Sequence, residues 1–392
     1  MHSLIRTAAV AVVAALASAC GREASSAIAV ERTDSAGVEI VTSGGTDVPL
    51  AWSFEPVLTL GGAEDGPEAF YQVRGGLGSD GAGNVYVLDR GNHRVLVFGA
   101  DGRHLRTMGR KGGGPGEMEF PGSLTVEADG SVGVQDPMLR RMVRFAPDGS
   151  VVAPIAFTGS AMIEDASMVG GIPVLLSRAF DPETGSVQEL VIAAEGDTTV
   201  LARVETPPGK GGRFPNCAVQ IPGLPPIFSP AISWTAVDDR LALSAGAAYE
   251  VRIVEGGRHL RTLRRDVAPA PATAQLAEGM VPRGEMHIRF GSGECRIPAR
   301  DVVEARGFAP LVPAISRIAL APDGSTWVAR SVPGEDRPPV DVFAPDGAYR
   351  GTLPTGTPFP DAFLPDGRIL RVEEDELEVE RVVAYRVAPS AD

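Results

Sequence analysis

The 392-residue chain carries 50 acidic and 36 basic residues, a net charge of −14, and is 44% hydrophobic and 22% charged. That balance excludes the broad cationic footprint needed to neutralise phosphates, so no nucleic-acid partner is expected. Its 47 glycines and 33 prolines punctuate the chain too often for long helices, while recurring apolar blocks exclude general disorder.

The chain opens MHSLIRTAAVAVVAALASAC, with Arg6, an apolar run from Ala8 to Leu16, and small residues Ala17, Ser18 and Ala19. The run is too short to span about 30 Å of hydrocarbon, so residues 1–19 read as a signal peptide. Its end resembles a bacterial lipobox, which implies lipidation of Cys20. Ala17 departs from the usual leucine, which stands one place earlier as Leu16. Residues 20–49 are expected to form the lipid-anchor tether and an N-terminal extension. Within them, VERTDSAGVEIVTS at 30–43 reads as an extra hairpin outside the main body. Gly21 and Arg22 supply no acidic retention signal, which by resemblance to Gram-negative lipoproteins favours the outer membrane over a periplasm-facing inner membrane.

From residue 81 a unit of short apolar strands repeats. GAGNVYVLDRGNHRVLVFGADGRHLRTMG at 81–109 is followed by EADGSVGVQDPMLRRMVRFAPDGSVV at 127–152. Val85 and Val132, Arg94 and Arg141, and Asp101 and Asp148 are each 47 residues apart, too regular for chance alternation. Weaker copies span 171–205, 232–263, 315–353 and 361–387, and HLRT at 104–107 returns at 259–262. Each copy supplies three or four antiparallel strands that cannot bury both faces alone, so radial stacking is the physical solution. The last copy stops after VVAYRV, and WSFEPVLTLGG at 52–62 stands unpaired ahead of the first. This segment is expected to complete the final unit. The fold class is therefore all-β, a six-bladed β-propeller over 50–390 whose N-terminal strand closes the last blade.

GNVYVLDRGNHRVLVFGADGRHLRTMGRKGGGPGEMEFPG at 83–122 resembles the NHL-like repeats of bacterial six-bladed β-propeller lipoproteins. In such repeats Asp89, Asn92 and Arg94 hold recurring positions. The second copy keeps Asp136 and Arg141 but has Met138 and Leu139 between them. The resemblance implies a fold and no single activity.

KGGGPGE at 111–117 lacks the ending of a phosphate-binding loop and reads as an interblade connection. His104 and His259 repeat with the strands, which points to structure, and His93 sits in a turn. Asp89 and Asp136 end equivalent strands. They either cap the following turn beside Arg94 and Arg141 or face the channel, where a hard cation such as Ca²⁺ is possible. Otherwise no cofactor is implied.

Two connections exceed what blades need, at about 206–230 and 266–312, with possible short helices at 272–278 and 300–306. They are expected to cap one face, and loops on a rigid scaffold commonly bind. Arg213, Phe214, His287, Arg289 and Arg296 are the ligand-binding candidates, with Phe290 and Arg306 beside them. Cys217 and Cys295 either pair across the two insertions or stay as thiols. The leading expectation is an envelope-anchored binding or scaffold protein for a peptide, glycan, small ligand or envelope protein. The alternative is an extracytoplasmic hydrolase or lyase with its site at the central channel.

Overall fold

The computed structural model describes residues 29–62, 69–73, 75–181, 183–194, 197–213, 220–221, 224–290 and 293–389. Its turns follow from one recurring dipeptide. Asp101, Asp129, Asp148, Asp323, Asp346 and Asp366 each accept the main-chain N–H two residues on, at 2.8–3.2 Å. The glycine after each adopts φ between +84° and +89°, a region that costs glycine nothing.

Between such turns the chain forms six four-stranded antiparallel blades. The first comprises Leu77–Ser79, Val85–Asp89, Arg94–Phe98 and His104–Met108. The second runs from Leu124–Val126 to Val151–Ala156, and the third from Met162–Val169 to Asp197–Thr206. The fourth extends from Ile232–Val237 to Arg258–Arg265, and the fifth from Ile315–Leu320 to Tyr349–Leu353. The sixth holds only three strands from the C-terminal part of the chain, Ala362–Phe363, Ile369–Glu374 and Glu380–Pro389. Its outermost strand is Trp52–Gly61, paired antiparallel from Trp52↔Pro389 to Gly61↔Arg381. The closing strand is where the sequence placed it, and it removes the exposed edge an open ring would leave.

Six separate apolar clusters hold the ring, one at each blade–blade interface. Leu60, Val85, Phe98 and Leu370 join the sixth blade to the first. Tyr86, Val97, Val134 and Phe145 join the first to the second, and Met142, Phe157 and Met168 the second to the third. Leu190, Leu241 and Leu243 lie between the third and fourth blades. Val251, Leu263 and Phe343 join the fourth to the fifth, and Trp327, Val342 and Phe359 join the fifth to the sixth. Fully burying one such side chain stabilises by about 1.5–3 kcal/mol, so closure is spread around the ring.

The N-terminal segment does more than close a blade. Strands β1 (Val30–Ser35) and β2 (Val38–Ser43) form the expected hairpin. β2 pairs in parallel with the outermost strand of the fourth blade, from Glu39↔Arg261 to Ser43↔Arg265. The chain then lies along the outer strand of the fifth blade, where Thr352 N–H donates to Val48 O at 2.7 Å and Leu50 N–H to Thr352 O at 2.9 Å. It continues into β3 (Trp52–Gly61) on the sixth. Residues 30–61 thus strap three consecutive blades from outside. Gly351 admits the strap: its φ is +147°, and a Cβ there would meet Val48 O at 2.6 Å.

The described parts of the two insertions pack against each other. Helix α1 (Ala274–Gly279) starts where Thr273 accepts the Leu276 N–H, and α2 is Ala299–Arg306, each within two residues of its expected bounds. Between them lies the hairpin Glu285–Phe290 and Gly293–Pro298. Ile227 packs with Ala277 and Val303, and a bridge Ile227↔Phe308 ties the two insertions together. Among the described residues no helix is long and apolar enough to cross a membrane.

Candidate functional site

Strands alternate direction within each blade, so every outermost strand ends on the face where the next innermost strand begins. Thr206 to Ile232 and Arg265 to Ile315 are both such passages. The two insertions therefore rise from the same face, over the third and fourth blades. Under them lies a pocket of about 1000 Å³, at the upper end of the range for small-molecule sites.

Its walls are mostly apolar: Leu224, Pro225, Pro226, Ile227 and Phe228 from the first insertion, and Met280, Val281, Met286 and Val302 from the second. The third blade contributes Arg178 and Thr206. Arg178 is held by Glu164, which Gln188 Nε2 also reaches at 2.6 Å, while Gln188 Oε1 accepts the Ile232 N–H at 2.7 Å. A polar network thus fixes the pocket against the start of the fourth blade. Arg306, half-buried at the end of α2, donates from Nε and Nη2 to Pro225 O at 3.1 and 2.8 Å. Burial pulls its pKa below the ordinary arginine value.

Of the sequence candidates, His287 lines this pocket. Its Nε2 lies 2.6 Å from Glu285 Oε1 and its Nδ1 3.5 Å from Glu294 Oε1, and Arg296 lies 3.6 and 3.4 Å from the same two carboxylates. The His287 hydrogen bond, ahead of burial, holds the Glu285 carboxyl below its usual value. Arg289 and Arg296 are exposed on the same hairpin and do not line the pocket. Arg213 belongs to the short strand Gly212–Arg213, and Phe214 lies outside the described residues. Cys295 is buried and disulfide-bonded. Cys20 and Cys217 lie outside the described residues.

Sequence reasoning missed Arg178, Arg283 and the prolines of LPPIFSP as pocket wall. The Pro-Pro run was the available signal, since such a segment cannot continue a blade. Nothing in the pattern of a regular strand marks Arg178 as lying under a cap.

The central channel is the second large cavity, about 810 Å³, and the innermost strand of every blade contributes to it. Its lining is acidic, including Asp80, Asp129, Asp165, Asp238 and Asp361, with Arg317 as its one arginine. Arg317 pairs with Asp361 at 2.8 Å and lies 4.6 Å from the Phe359 ring centre.

Asp89 and Asp136 correct the channel expectation. Both end second strands, one strand removed from the channel, and both are fully buried. Asp89 accepts from Tyr71 N–H, Asn92 Nδ2 and Arg94 Nε at 2.9–3.0 Å. Asp136 accepts from the N–H groups of Glu119, Phe120 and Leu139 at 2.7–3.1 Å. Each carboxylate gives three of its roughly four acceptor sites to the turn after its strand and the chain entering its blade, away from the channel, which is the capping alternative and a poor fit to a Ca²⁺ site. Arg141 does not repeat the Arg94 pairing. It donates instead to Gly114 O and Glu117 O of KGGGPGE, which is the connection between the first two blades. His104 and His259 make the same 3.0 Å contact, to Thr107 and Thr262, and both are structural.

Residues 80–157, the first two blades, match the DUF5128 family model, described as a 6-bladed beta-propeller. No curated protein matches the chain. Among solved structures, a Bacteroides fragilis protein designated as exported is 11% identical, with 89% of this chain and 99% of that one covered and a TM-score of 0.52. A DUF4221 family member from Bacteroides vulgatus is 9% identical over 87% and 99% of the two chains, with a TM-score of 0.48. Streptogramin B lyase is 10% identical over 86% and 97%, with a TM-score of 0.39. The first of these likenesses shows a shared fold alone, and the other two are too loose to argue from.

Proposed function

We propose that this chain is an extracytoplasmic binding protein, tethered through a lipid on Cys20 after loss of residues 1–19, that receives a small ligand under its cap. The observation that carries this reading is the pocket between the two insertions. A propeller closes without them, yet they build a roughly 1000 Å³ apolar recess with polar groups at its edge, the usual composition of a small-molecule site. Its volume suits a small ligand better than a folded partner, which would need a broad exposed patch. The neighbour designated as exported agrees with an envelope location. Cys217 is the proposed partner of Cys295, and that bridge would fasten one insertion to the other.

The test uses Nile red, a neutral apolar dye, on the full chain carrying Cys20→Ser so that no detergent is needed. Saturable binding of one dye per protein is expected. Ala231→Trp, which adds bulk at an exposed pocket position, should abolish it. Dye binding that is absent, or unchanged in Ala231→Trp, overturns the reading. For the anchor, mass spectrometry of the membrane-extracted native chain should find an acylated Cys20 at its N-terminus, and an unmodified cysteine there would refute it.

A further inference from the structure

The two cavities carry opposite charge. On a chain of net charge −14, seven acidic residues and a single arginine line the channel. The cap pocket has the reverse: Arg178, Arg283 and Arg306 line it, and Glu285 is the only carboxylate among its described lining residues. Glu285 is already engaged by His287 at 2.6 Å and Arg296 at 3.6 Å, and Arg178 is engaged by Glu164.

Two cations are then left over. Neither Arg283 nor Arg306 has an ion pair among the described residues. Arg306 spends Nε and Nη2 on one carbonyl, that of Pro225, and its Nη1 has no partner among the described residues. Its half-buried guanidinium lines the same cavity as Ile227, Val302 and Met286, where burial of a charge is costly unless it is paired. Holding the Pro225 carbonyl accounts for two of its donors and for none of its charge. Arg283 stands exposed in the turn Pro282–Gly284 with φ +56°, a conformation a non-glycine residue rarely adopts.

We infer that the pocket takes an amphiphile with an anionic head, its apolar body between the proline-rich wall and α2 and its head at Arg306 and Arg283. A carboxylate matches the geometry of a guanidinium fork, and such charge-assisted hydrogen bonds are roughly twice as strong as neutral ones. The acidic channel repels the same molecule, so any attraction comes from the local charge of the cap pocket and acts against the chain's overall charge. This assignment rests on the pocket being the ligand site and adds the ligand's class.

The test keeps the chain length and changes only the head. Decanoate, decanol and decyltrimethylammonium, each below its micelle-forming concentration, are titrated calorimetrically into the Cys20→Ser full chain. Decanoate should bind at least about tenfold tighter than decanol, the ratio one charge-assisted contact supplies, and decyltrimethylammonium weakest. Arg306→Gln should bring decanoate to parity with decanol, and Arg306→Lys should retain part of the preference. Arg283→Gln, at an exposed position, should narrow it even if Arg306→Gln fails to fold. Equal binding of decanoate and decanol by the unmutated pocket overturns the anionic assignment and leaves the pocket reading standing. Binding of all three ligands that is indifferent to Ala231→Trp, or no binding at all, overturns both.

Discussion

Arg265 and Asp341 face each other at 2.9 Å with neither side chain reaching solvent. Asp341 also accepts from Arg330 at 2.7 Å, Tyr249 at 2.7 Å and Thr352 at 2.6 Å. Asp47, in the N-terminal strap, closes the set by pairing with both arginines. Burial first, and then the Asp341 charge, pushes the Tyr249 hydroxyl well above its ordinary pKa, so it stays a donor. Two guanidiniums against two carboxylates leave the cluster neutral, which makes its burial tolerable. Asp341→Asn would leave Arg265 and Arg330 to share the single carboxylate of Asp47, one uncompensated buried charge, and is expected to destabilise by about 3–5 kcal/mol. Asp47→Asn, at a side chain 43% exposed, should cost no more than about 1 kcal/mol, because water screens that pair. Urea denaturation of the two variants measures the contrast, and equal losses would refute the role given to burial.

The strap separates two functions that truncation can tell apart. Removing residues 30–50 deletes the pairing with the fourth and fifth blades but leaves Trp52–Gly61 closing the sixth. That variant should remain monomeric with a lowered unfolding temperature. Removing residues 30–61 exposes the edge of Glu380–Pro389 and takes Val57, Leu58 and Leu60 from the apolar cluster between the sixth and first blades. It should elute as aggregate or fail to fold. Size-exclusion chromatography with thermal unfolding reads both outcomes, and a stable monomer from the longer deletion would show that the ring does not depend on its closing strand.

Much of this was legible in the sequence, for definite reasons. The 47-residue offset between Asp89 and Asp136 exposed the repeat, because equivalent positions in a propeller face equivalent constraints. The unmatched WSFEPVLTLGG announced a missing strand. Long-range choices were not legible. VEIVTS reads as a strand, but nothing local says that Val41 will pair in parallel beside Leu263, more than 200 residues away. Arg141 repeats Arg94 in position, yet it bonds the Gly114 and Glu117 carbonyls, because Leu139 N–H and the entering chain already fill Asp136. The cap was foreseeable from insertion length, whereas its pocket wall depended on how Pro225 and Arg306 meet across elements the sequence shows separately.

Acid should loosen the strap before it opens the ring. Hydrogen bonds from Arg261 and then Arg32 hold the Glu39 carboxyl below its ordinary 4.5. Burial alone would raise Asp47, but Arg330 and Arg265 outweigh it and hold the group below 3.8. Folded-state values lower than unfolded ones mean that the unfolded chain binds more protons in acid. The stabilisation is therefore complete above about pH 4.5 and is lost as pH falls through the folded-state values. Unfolding temperature should drop below about pH 4, and the drop should be shallower in Glu39→Gln/Asp47→Asn. Identical acid profiles for that double variant and the parent would sink the claim.

Asp136 tests whether the repeated aspartates act as pins. Its carboxylate receives three main-chain N–H groups, two of them from the segment entering the second blade. Asp136→Ala leaves those part-buried donors without their acceptor, each worth about 1–3 kcal/mol where water cannot reach, so a total near 3 kcal/mol is expected after partial rescue by water. His259→Ala loses an outer-strand contact to threonine, and His104→Ala loses the same contact together with an edge-to-face contact with Phe98 at 5.6 Å. They should shift stability by no more than about 0.5 kcal/mol and leave decanoate binding unchanged. A loss of ligand binding in either histidine variant would contradict the structural role assigned to the repeated HLRT.

The proposed Cys217–Cys295 bridge makes a prediction in which the cap and the ring part company. It would close a loop containing the whole fourth blade and much of both insertions, and a cross-link of that span stabilises by up to about 4–5 kcal/mol in the chain-entropy account. The six interblade clusters, however, hold the ring without it. Ile227↔Phe308, the small apolar cluster beside it and the Arg306 hydrogen bonds to Pro225 O are further ties between the insertions among the described residues. Reduction should therefore free the cap first. Non-reducing peptide mapping should recover one linked pair containing Cys217 and Cys295. Dithiothreitol, or Cys295→Ser, should weaken Nile red binding at temperatures where far-ultraviolet circular dichroism still reports intact blades. A free Cys217 thiol in the native chain would refute the bridge, and dye binding indifferent to reduction would show that packing alone keeps the pocket closed.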